Sequence, residues 1–200
     1  LVGSEMCIRD RYETYDAAQN QRTLADLQVT EWLLSQFSTI DEVKAALSSV
    51  RVVGLEKTAV VHWRIGEPSG RQVVLEIVGG VPHFYENTVG VLTNAPGFEW
   101  QLTNLNNYVN LHPGDASMQK LSGITLQPTG GNSGFLGIPG DATPPSRFVR
   151  AAFYRGTAPQ RATGFDTVQQ CFHLLNNFDI PIGICLLYTS PSPRDMRRSR

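Results

Sequence analysis

Hydrophobic side chains change their spacing near residue 57, and this change divides the first half of the chain into helices followed by strands. Residues 23–37 carry apolar side chains at roughly helical spacing, namely Leu24, Leu27, Trp32, Leu33 and Phe37. Residues 57–66 and 71–80 are runs of β-branched side chains, and the Glu-Pro-Ser-Gly turn between them favours a β-hairpin. We therefore expect a helix over 23–37 and an antiparallel pair of strands after it.

A second helix and further strands complete this half of the chain. Thr39 and Glu42 form a capping-box pattern, which is typical of the first turn of a helix. Residues 81–87 and 89–94 repeat the β pattern, so we expect the sheet to continue as far as Asn94. The Asn-Ala-Pro-Gly sequence at 94–97 then turns the chain, because the residue before a proline is disfavoured in the α region.

The second half of the chain is predicted to be helical around a long loop. Apolar residues return with a helical rhythm after Trp100, and residues 112–145 are rich in Gly, Pro and Ser. Such a segment is typical of an ordered or lid-like loop near an active site. Residues 146–154 and 165–178 have the apolar periodicity of two further helices.

The two ends of the chain do not have the character of the middle. Residues 1–10, LVGSEMCIRD, match the translation of a transposase sequencing adapter, and residues 185–195, CLLYTSPSPRD, match the translation of its reverse complement. We therefore interpret residues 1–11 and 185–200 as adapter-derived and not native, and residues 12–184 as one partial domain. Cys7 and Cys185 are then not native cysteines, and Cys171 is the only cysteine of residues 12–184.

Composition limits the class of function. A hydrophobic content of 41% and a net charge of −1 describe a globular domain without an electrostatic footprint for nucleic acid. No apolar run approaches the ~20 residues of a membrane-spanning helix. A single cysteine in residues 12–184 excludes an internal disulfide there and a cysteine-cluster metal site.

Several residues that suggest chemistry have a simpler structural reading. The glycine-rich segment 130–141 lacks the GK[ST] ending of a phosphate-binding loop, so a flexible active-site loop is favoured. Four histidines, at positions 62, 83, 112 and 173, have no metal-ligand spacing. Cys171 lies in the apolar stripe of its predicted helix, so we expect a small buried hydrophobic side chain. The sequence therefore predicts neither a cofactor nor a metal.

Asn94 and Arg147 are the candidate catalytic residues. Asn94 ends a predicted strand before a turn, where its amide can donate a hydrogen bond to a developing oxyanion, although asparagine is also an ordinary turn residue there. Arg147 lies at the start of a predicted helix, where the helix dipole disfavours a cation. It therefore needs a partner, either a structural carboxylate or an anionic reaction centre.

Three long motifs in this chain resemble those of the choloylglycine hydrolase family, which includes bile salt hydrolases and penicillin V acylases. The motifs are VGVLTNAPGFEWQLTNLNNYVNL, GFLGIPGDATPPSRFVRAAFYR and FHLLNNFDIPIG. They occur in the family's order, and the resemblance extends from about Thr23 to Ile184. It implies an α+β fold, the αββα sandwich of N-terminal-nucleophile hydrolases, in this chain without its N-terminal part.

The resemblance also implies a reaction and roles for two residues. Family members cleave a linear carbon–nitrogen amide bond by an N-terminal cysteine and a thioester acyl-enzyme. Asn94 matches the asparagine whose amide helps to form the oxyanion hole, and Arg147 matches the arginine beside the nucleophile. The nucleophile itself has no counterpart in residues 12–184, so we expect this chain alone to be inactive.

Some alternatives stay open at this level. A catalytically silent binding protein of the same fold is the competing hypothesis, and the residue at the nucleophile position distinguishes the two. The small-molecule substrate could be a conjugated bile salt, a penicillin of the V type or an N-acyl homoserine lactone. Location in the bacterial cytoplasm or periplasm, and a homo-oligomeric state of the whole protein, are equally undecided by the residues present.

Overall fold

A computed structural model describes residues 2–7, 12, 16–54 and 60–180 of the chain. It divides the chain into two units, residues 1–158 and residues 159–200. The strands are β1 (Val2–Cys7), β2 (Thr23–Ala25), β3 (Arg51–Val53), β4 (Val60–Gly66), β5 (Gln72–Val78), β6 (Val81–Glu86), β7 (Gln119–Leu121) and β8 (Ile124–Leu126). The α-helices are α1 (Asp26–Gln36), α2 (Ile40–Leu47), α3 (Phe98–Asn104), α4 (Pro144–Thr157) and α5 (Gly164–Leu175).

The main sheet has the antiparallel order β1-β4-β5-β6. The predicted hairpin is confirmed: β4 and β5 pair with Trp63 opposite Leu75, and a hydrogen bond from the Glu67 amide to the Arg71 carbonyl closes the turn. Residues 57–59 of the predicted first strand lie outside the described residues. The adapter assignment also stays a prediction, since residues 185–200 are not described and only the backbone of residues 2–7 is described near the start.

Strand β5 separates two apolar clusters because its successive side chains point to opposite faces of the sheet. Val73, Leu75 and Ile77 pack with buried residues of α1 and α2 on one face. Val74 packs on the other face with Phe98 of α3 and Phe148 of α4. The sheet is therefore covered on both sides, and α3 and α4 share one of those sides.

The helices α1 and α2 differ in how well local sequence predicts them. Helix α2 begins at the predicted capping box, in which Thr39 Oγ1 accepts from the Glu42 amide and the Glu42 carboxylate accepts from the Thr39 amide. Helix α1 begins at Asp26 instead of residue 23, because Thr23–Ala25 pairs in parallel with β3. Leu27, which was predicted to face the core, is 71% exposed, whereas Val29 is fully buried.

The prediction that the sheet continues to Asn94 is wrong. The chain leaves the sheet after Glu86, and residues 87–97 form no strand. The buried Asn87 side chain donates to the Val91 carbonyl and accepts from the Gly90 amide, so these backbone groups are satisfied within a local turn. The predicted loop 112–145 is also interrupted by the antiparallel hairpin of β7 and β8.

Residues 159–180 of the second unit contain helix α5 and a short 3-10 helix, Asn176–Phe178. Cys171 on α5 is exposed, so its predicted burial is wrong. The apolar stripe that suggested burial is itself largely exposed in this structure: Val168 is 53% and Leu175 is 49% accessible, and Leu174 is partly buried. Helical periodicity identified the stripe, but whether another element covers a stripe is decided by tertiary packing.

Candidate active site

Asn94 and Arg147 are brought together although 53 residues separate them in the sequence. Arg147 Nη2 donates a hydrogen bond of 2.6 Å to Asn94 Oδ1, and Arg147 Nε donates to the Ala142 carbonyl at 3.0 Å. Both side chains are partly buried. The two residues selected from the sequence therefore belong to one cluster within residues 1–158.

The hydrogen bond determines which way the Asn94 amide is turned. A guanidinium group has only donors, so the atom of Asn94 that faces Arg147 must be the amide oxygen. The amide nitrogen, with its two donor hydrogens, is consequently directed away from Arg147. A side chain held in this way presents an oriented donor, which is what a developing oxyanion requires.

The contacts of Arg147 bear on whether its partner is a structural carboxylate or an anionic reaction centre. Its amide donates to the Thr143 carbonyl in the first turn of α4. Among the described residues, Arg147 forms no ion pair with a carboxylate, and its two side-chain bonds go to neutral oxygens. The structural-carboxylate alternative is therefore not supported by the described part of the chain.

The N-terminus of α4 is held in place by residues that the sequence did not single out. The Asp141 carboxylate accepts from the Thr143 amide and from the hydroxyl groups of Thr143 and Ser146. These hydrogen bonds, first from Ser146 and then from Thr143, lower the pKa of Asp141 to about 2. The buried Arg150 donates from Nη1 to the carbonyls of Pro139 and Asp141, at 2.7 Å each.

The loop that carries Asn94 is also fixed to its surroundings. The Thr93 hydroxyl donates to the Pro144 carbonyl at 3.1 Å, which links this loop to α4. The Ala95–Pro96 peptide bond is cis. At the far end of the loop, the Phe98 amide donates to Glu76 Oε1 of β5 at 2.7 Å. Sequence reasoning missed Glu76, although a single carboxylate in the apolar run QVVLEIV was a usable signal.

The four histidines that were considered as metal ligands lie on different elements of the fold. His62 is on β4, His83 on β6, His112 in a loop and His173 on α5. Within the described ranges, no group of three or more His, Cys, Asp or Glu side chains could hold a metal ion. No helix in that same part of the chain is long and apolar enough to cross a membrane.

Residues 5–191 match the family model of the linear amide C–N hydrolases, choloylglycine hydrolase family. The chain belongs to the choloylglycine hydrolase family. The resemblance inferred from the three motifs is therefore confirmed.

Curated relatives of this choloylglycine hydrolase family chain include bacterial enzymes that act on bile salts. A bile salt hydrolase/transferase of Clostridium perfringens is 36% identical over 151 residues, which are 73% of this chain and 46% of the relative. A bile salt hydrolase/transferase of Lactiplantibacillus plantarum is 34% identical over 179 residues, which are 87% of this chain and 54% of the relative. The chain thus spans about half the length of these curated relatives.

Solved structures give the same fold. A mutant of the conjugated bile acid hydrolase from Clostridium perfringens superposes with a TM-score of 0.77 at 28% identity, over 97% of this chain and 59% of that one. Penicillin V acylase from Agrobacterium tumefaciens superposes with a TM-score of 0.71 at 21% identity, over 92% of this chain and 50% of that one. The predicted α+β fold of N-terminal-nucleophile hydrolases is confirmed by these neighbours.

Proposed function

We propose that the protein hydrolyses a linear carbon–nitrogen amide bond of a small molecule, of the bile salt or penicillin V type, with Asn94 and Arg147 in its active site. The observation that carries this proposal is the 2.6 Å hydrogen bond between these two side chains. It joins two residues that lie 53 positions apart in a chain of the choloylglycine hydrolase family. It also orients a donor of the kind that acyl transfer needs.

The reaction follows the chemistry of an N-terminal cysteine. The thiolate adds to the amide carbonyl, and the negative charge that develops on oxygen accepts a hydrogen bond from Asn94 Nδ2. The carbon–nitrogen bond then breaks, and the amine leaves with a proton from the α-ammonium group. Water adds to the resulting thioester as the α-amine takes one of its protons. The carbon–sulfur bond then breaks to regenerate the thiolate and release the carboxylic acid, whose proton is taken up by the amine product.

Arg147 contributes a fixed positive charge near this centre. Its Nε and one Nη2 hydrogen are used to hold Ala142 and Asn94, which leaves the other end of the guanidinium group for interactions with the reacting groups. A cation close to a cysteine stabilises the thiolate relative to the thiol. Arg147 therefore serves twice, as the residue that orients Asn94 and as the charge that favours the nucleophile.

The nucleophile of this proposal is not Cys171. Cys171 is an interior residue of helix α5, so it has no α-amine that could act as its own base. We propose that the cysteine belongs to a part of the whole protein other than residues 12–184. The 200-residue chain by itself is then inactive, and a protein with Ser or Ala at that position is the silent binding protein.

The test uses the whole protein, expressed from the source DNA with its complete reading frame, beside the 200-residue chain. Each is incubated with glycocholate or penicillin V, the released amine is quantified, and intact-protein mass spectrometry follows the acyl adduct. Release of amine with an adduct on an N-terminal cysteine in the whole protein supports the proposal. Saturable binding without release supports the silent alternative, and turnover with an adduct on Cys7 of the short chain would refute our assignment of the nucleophile.

A further inference from the structure

Strand β5 places one carboxylate on the sheet face that supports the candidate active site. Glu76 is 3% exposed, and it lies on the same face as Val74, which packs against Phe98 and Phe148. The residues on either side of it, Leu75 and Ile77, point to the opposite core. A buried carboxylate is costly unless hydrogen bonds compensate it, so its contacts show what it contributes.

The main contact of Glu76 is the end of the Asn94 loop. Glu76 Oε1 accepts from the Phe98 amide at 2.7 Å, and this amide is one of the N-terminal N–H groups that α3 itself cannot satisfy. Glu76 Oε2 lies 3.0 Å from the position that a Cβ atom would occupy on Gly97. The absence of a side chain at Gly97 is therefore what lets the loop approach the carboxylate so closely.

One neighbour on the sheet lies directly against the Glu76 carboxylate. His62 Nδ1 of β4 is 3.4 Å from Glu76 Oε1, and His62 is 1% exposed. His83 of β6 is paired with Glu76 in the strand register, so it shares this face of the sheet. The carboxylate is buried between the His62 side chain and the loop backbone, and these contacts hold it beside the Phe98 amide.

A second buried side chain supports the loop from α3. Gln101 is 2% exposed, and its Nε2 lies 3.4 Å from the Asn94 carbonyl and 3.3 Å from the Pro96 carbonyl. The loop from Asn94 to Phe98 is thus held at three points: by Arg147 at the Asn94 side chain, by Gln101 at the backbone, and by Glu76 at the Phe98 amide. Of the two contacts with the loop backbone, the hydrogen bond to Glu76 is shorter than those from Gln101.

We propose that Glu76 is a positioning residue for amide hydrolysis, acting through the Phe98 amide to fix where the Asn94 side chain stands. This inference rests on the proposed function of Asn94. An oxyanion donor works only at its correct distance, and a misplacement of about 1 Å can reduce a rate by about 100-fold. Glu76 contacts the loop backbone and contributes no atom to the bond that breaks.

The kinetic test compares two substitutions at the same position. Glu76→Leu removes the acceptor of the Phe98 amide, and we expect kcat of the whole protein to fall by about 100-fold while KM changes by less than about threefold. Glu76→Gln keeps an amide oxygen as the acceptor, and we expect it to restore kcat to within about fivefold of the original. Gly97→Ala, which crowds the contact without removing a buried group, should give an intermediate kcat at unchanged KM.

A control separates positioning from loss of stability. Val29→Ala opens a cavity in the core on the other face of the sheet, so it should destabilise the protein and leave kcat per folded molecule unchanged. If Glu76→Leu keeps more than half of the original kcat, or if Val29→Ala reproduces its loss at equal stability, the positioning role is overturned. The same holds if Glu76→Gln is as slow as Glu76→Leu.

A readout that does not depend on catalysis keeps this inference distinct from the proposed function. Hydrogen exchange of the Phe98 amide in the 200-residue chain should be faster in Glu76→Leu than in the original and in Glu76→Gln, with exchange in α1 unchanged. If exchange is faster in Glu76→Leu but the whole protein hydrolyses no amide, the proposed function is refuted, and the catalytic role of Glu76 is refuted with it. The support of the loop by Glu76 is then still established. Unchanged Phe98 exchange would overturn the inference itself.

Discussion

Replacement of Asn94 by aspartate separates the hydrogen bond that this side chain makes with Arg147 from its proposed role as an oxyanion donor. Asparagine and aspartate have nearly the same shape, and either one offers an oxygen to Arg147 Nη2, which now lies 2.6 Å from Asn94 Oδ1. Only asparagine has the amide hydrogens that the proposed oxyanion needs. Asn94→Asp should therefore keep the contact with Arg147 and remove the donor.

The expected magnitudes follow from these two contacts. Loss of one oxyanion-hole donor costs about 2.7 to 4 kcal/mol in the transition state, which corresponds to roughly a 100- to 1,000-fold lower kcat. A hydrogen bond that involves a charged group contributes about 1.5 to 3 kcal/mol to stability. Asn94→Ala loses both contributions, so it should be slow and less stable, whereas Asn94→Asp should be slow but about as stable as the original.

Two measurements check this prediction. Urea unfolding of the 200-residue chain at neutral pH gives the free energy of unfolding of the original, of Asn94→Ala and of Asn94→Asp. Steady-state kinetics of the whole protein with glycocholate or penicillin V give kcat and KM for the same three sequences. Affinity should change less than turnover, because the donor acts on charge that exists only in the transition state.

The proposed role as oxyanion donor and the contact with Arg147 can be refuted separately. If Asn94→Asp keeps more than a tenth of the original kcat, Asn94 is not the oxyanion donor and is an ordinary turn residue before Pro96. If Asn94→Asp is less stable than Asn94→Ala, the amide oxygen does not face Arg147, and the orientation derived from the hydrogen bond is wrong.

Two further predictions concern Asp141 and Cys171. Since the pKa of Asp141 is lowered from 3.8 to about 2 in the folded chain, its carboxylate stabilises the fold above about pH 4, and this contribution is lost as the pH falls towards 2. Asp141→Ala should therefore unfold at lower urea than the original at pH 6, by a margin that narrows between pH 4 and pH 2; a margin independent of pH would contradict this. Because Cys171 is exposed, a maleimide should label it in the folded chain, as read by peptide mass mapping, and Cys171→Ser should leave the turnover of the whole protein unchanged. Slow labelling that needs urea would show that Cys171 is covered in solution.

Local elements of this protein were determined by the sequence alone, because their signals involve neighbours along the chain. The capping box of Thr39 and Glu42 satisfies N-terminal amides within one turn, and the hairpin of β4 and β5 depends on two β-branched runs and the short turn between them. Helix α4 is also present where it was predicted, although it begins two residues earlier, at Pro144, because a proline is favoured in the first turn of a helix. The family motifs are also strings of adjacent residues, so the sequence was sufficient to identify the family.

Tertiary structure decided everything that depends on which surfaces meet. Periodicity does not tell that Thr23–Ala25 pairs with Arg51–Val53, so α1 was predicted to begin three residues too early. Helical periodicity also does not predict that Cys171 on α5 is exposed, because an apolar stripe has the same spacing whether or not another element covers it.

The candidate site shows the same division. Asn94 and Arg147 could be selected from their local context, but their hydrogen bond across 53 residues, and with it the direction of the Asn94 amide, exists only in the folded chain. Glu76 was visible in the sequence as a carboxylate in an apolar strand, yet its role depends on the face of β5 on which it lies and on the loop that packs there. Alternation along the sequence determines which side chains of a strand share a face. Which segment covers each face depends on the packing of residues that are distant in the sequence.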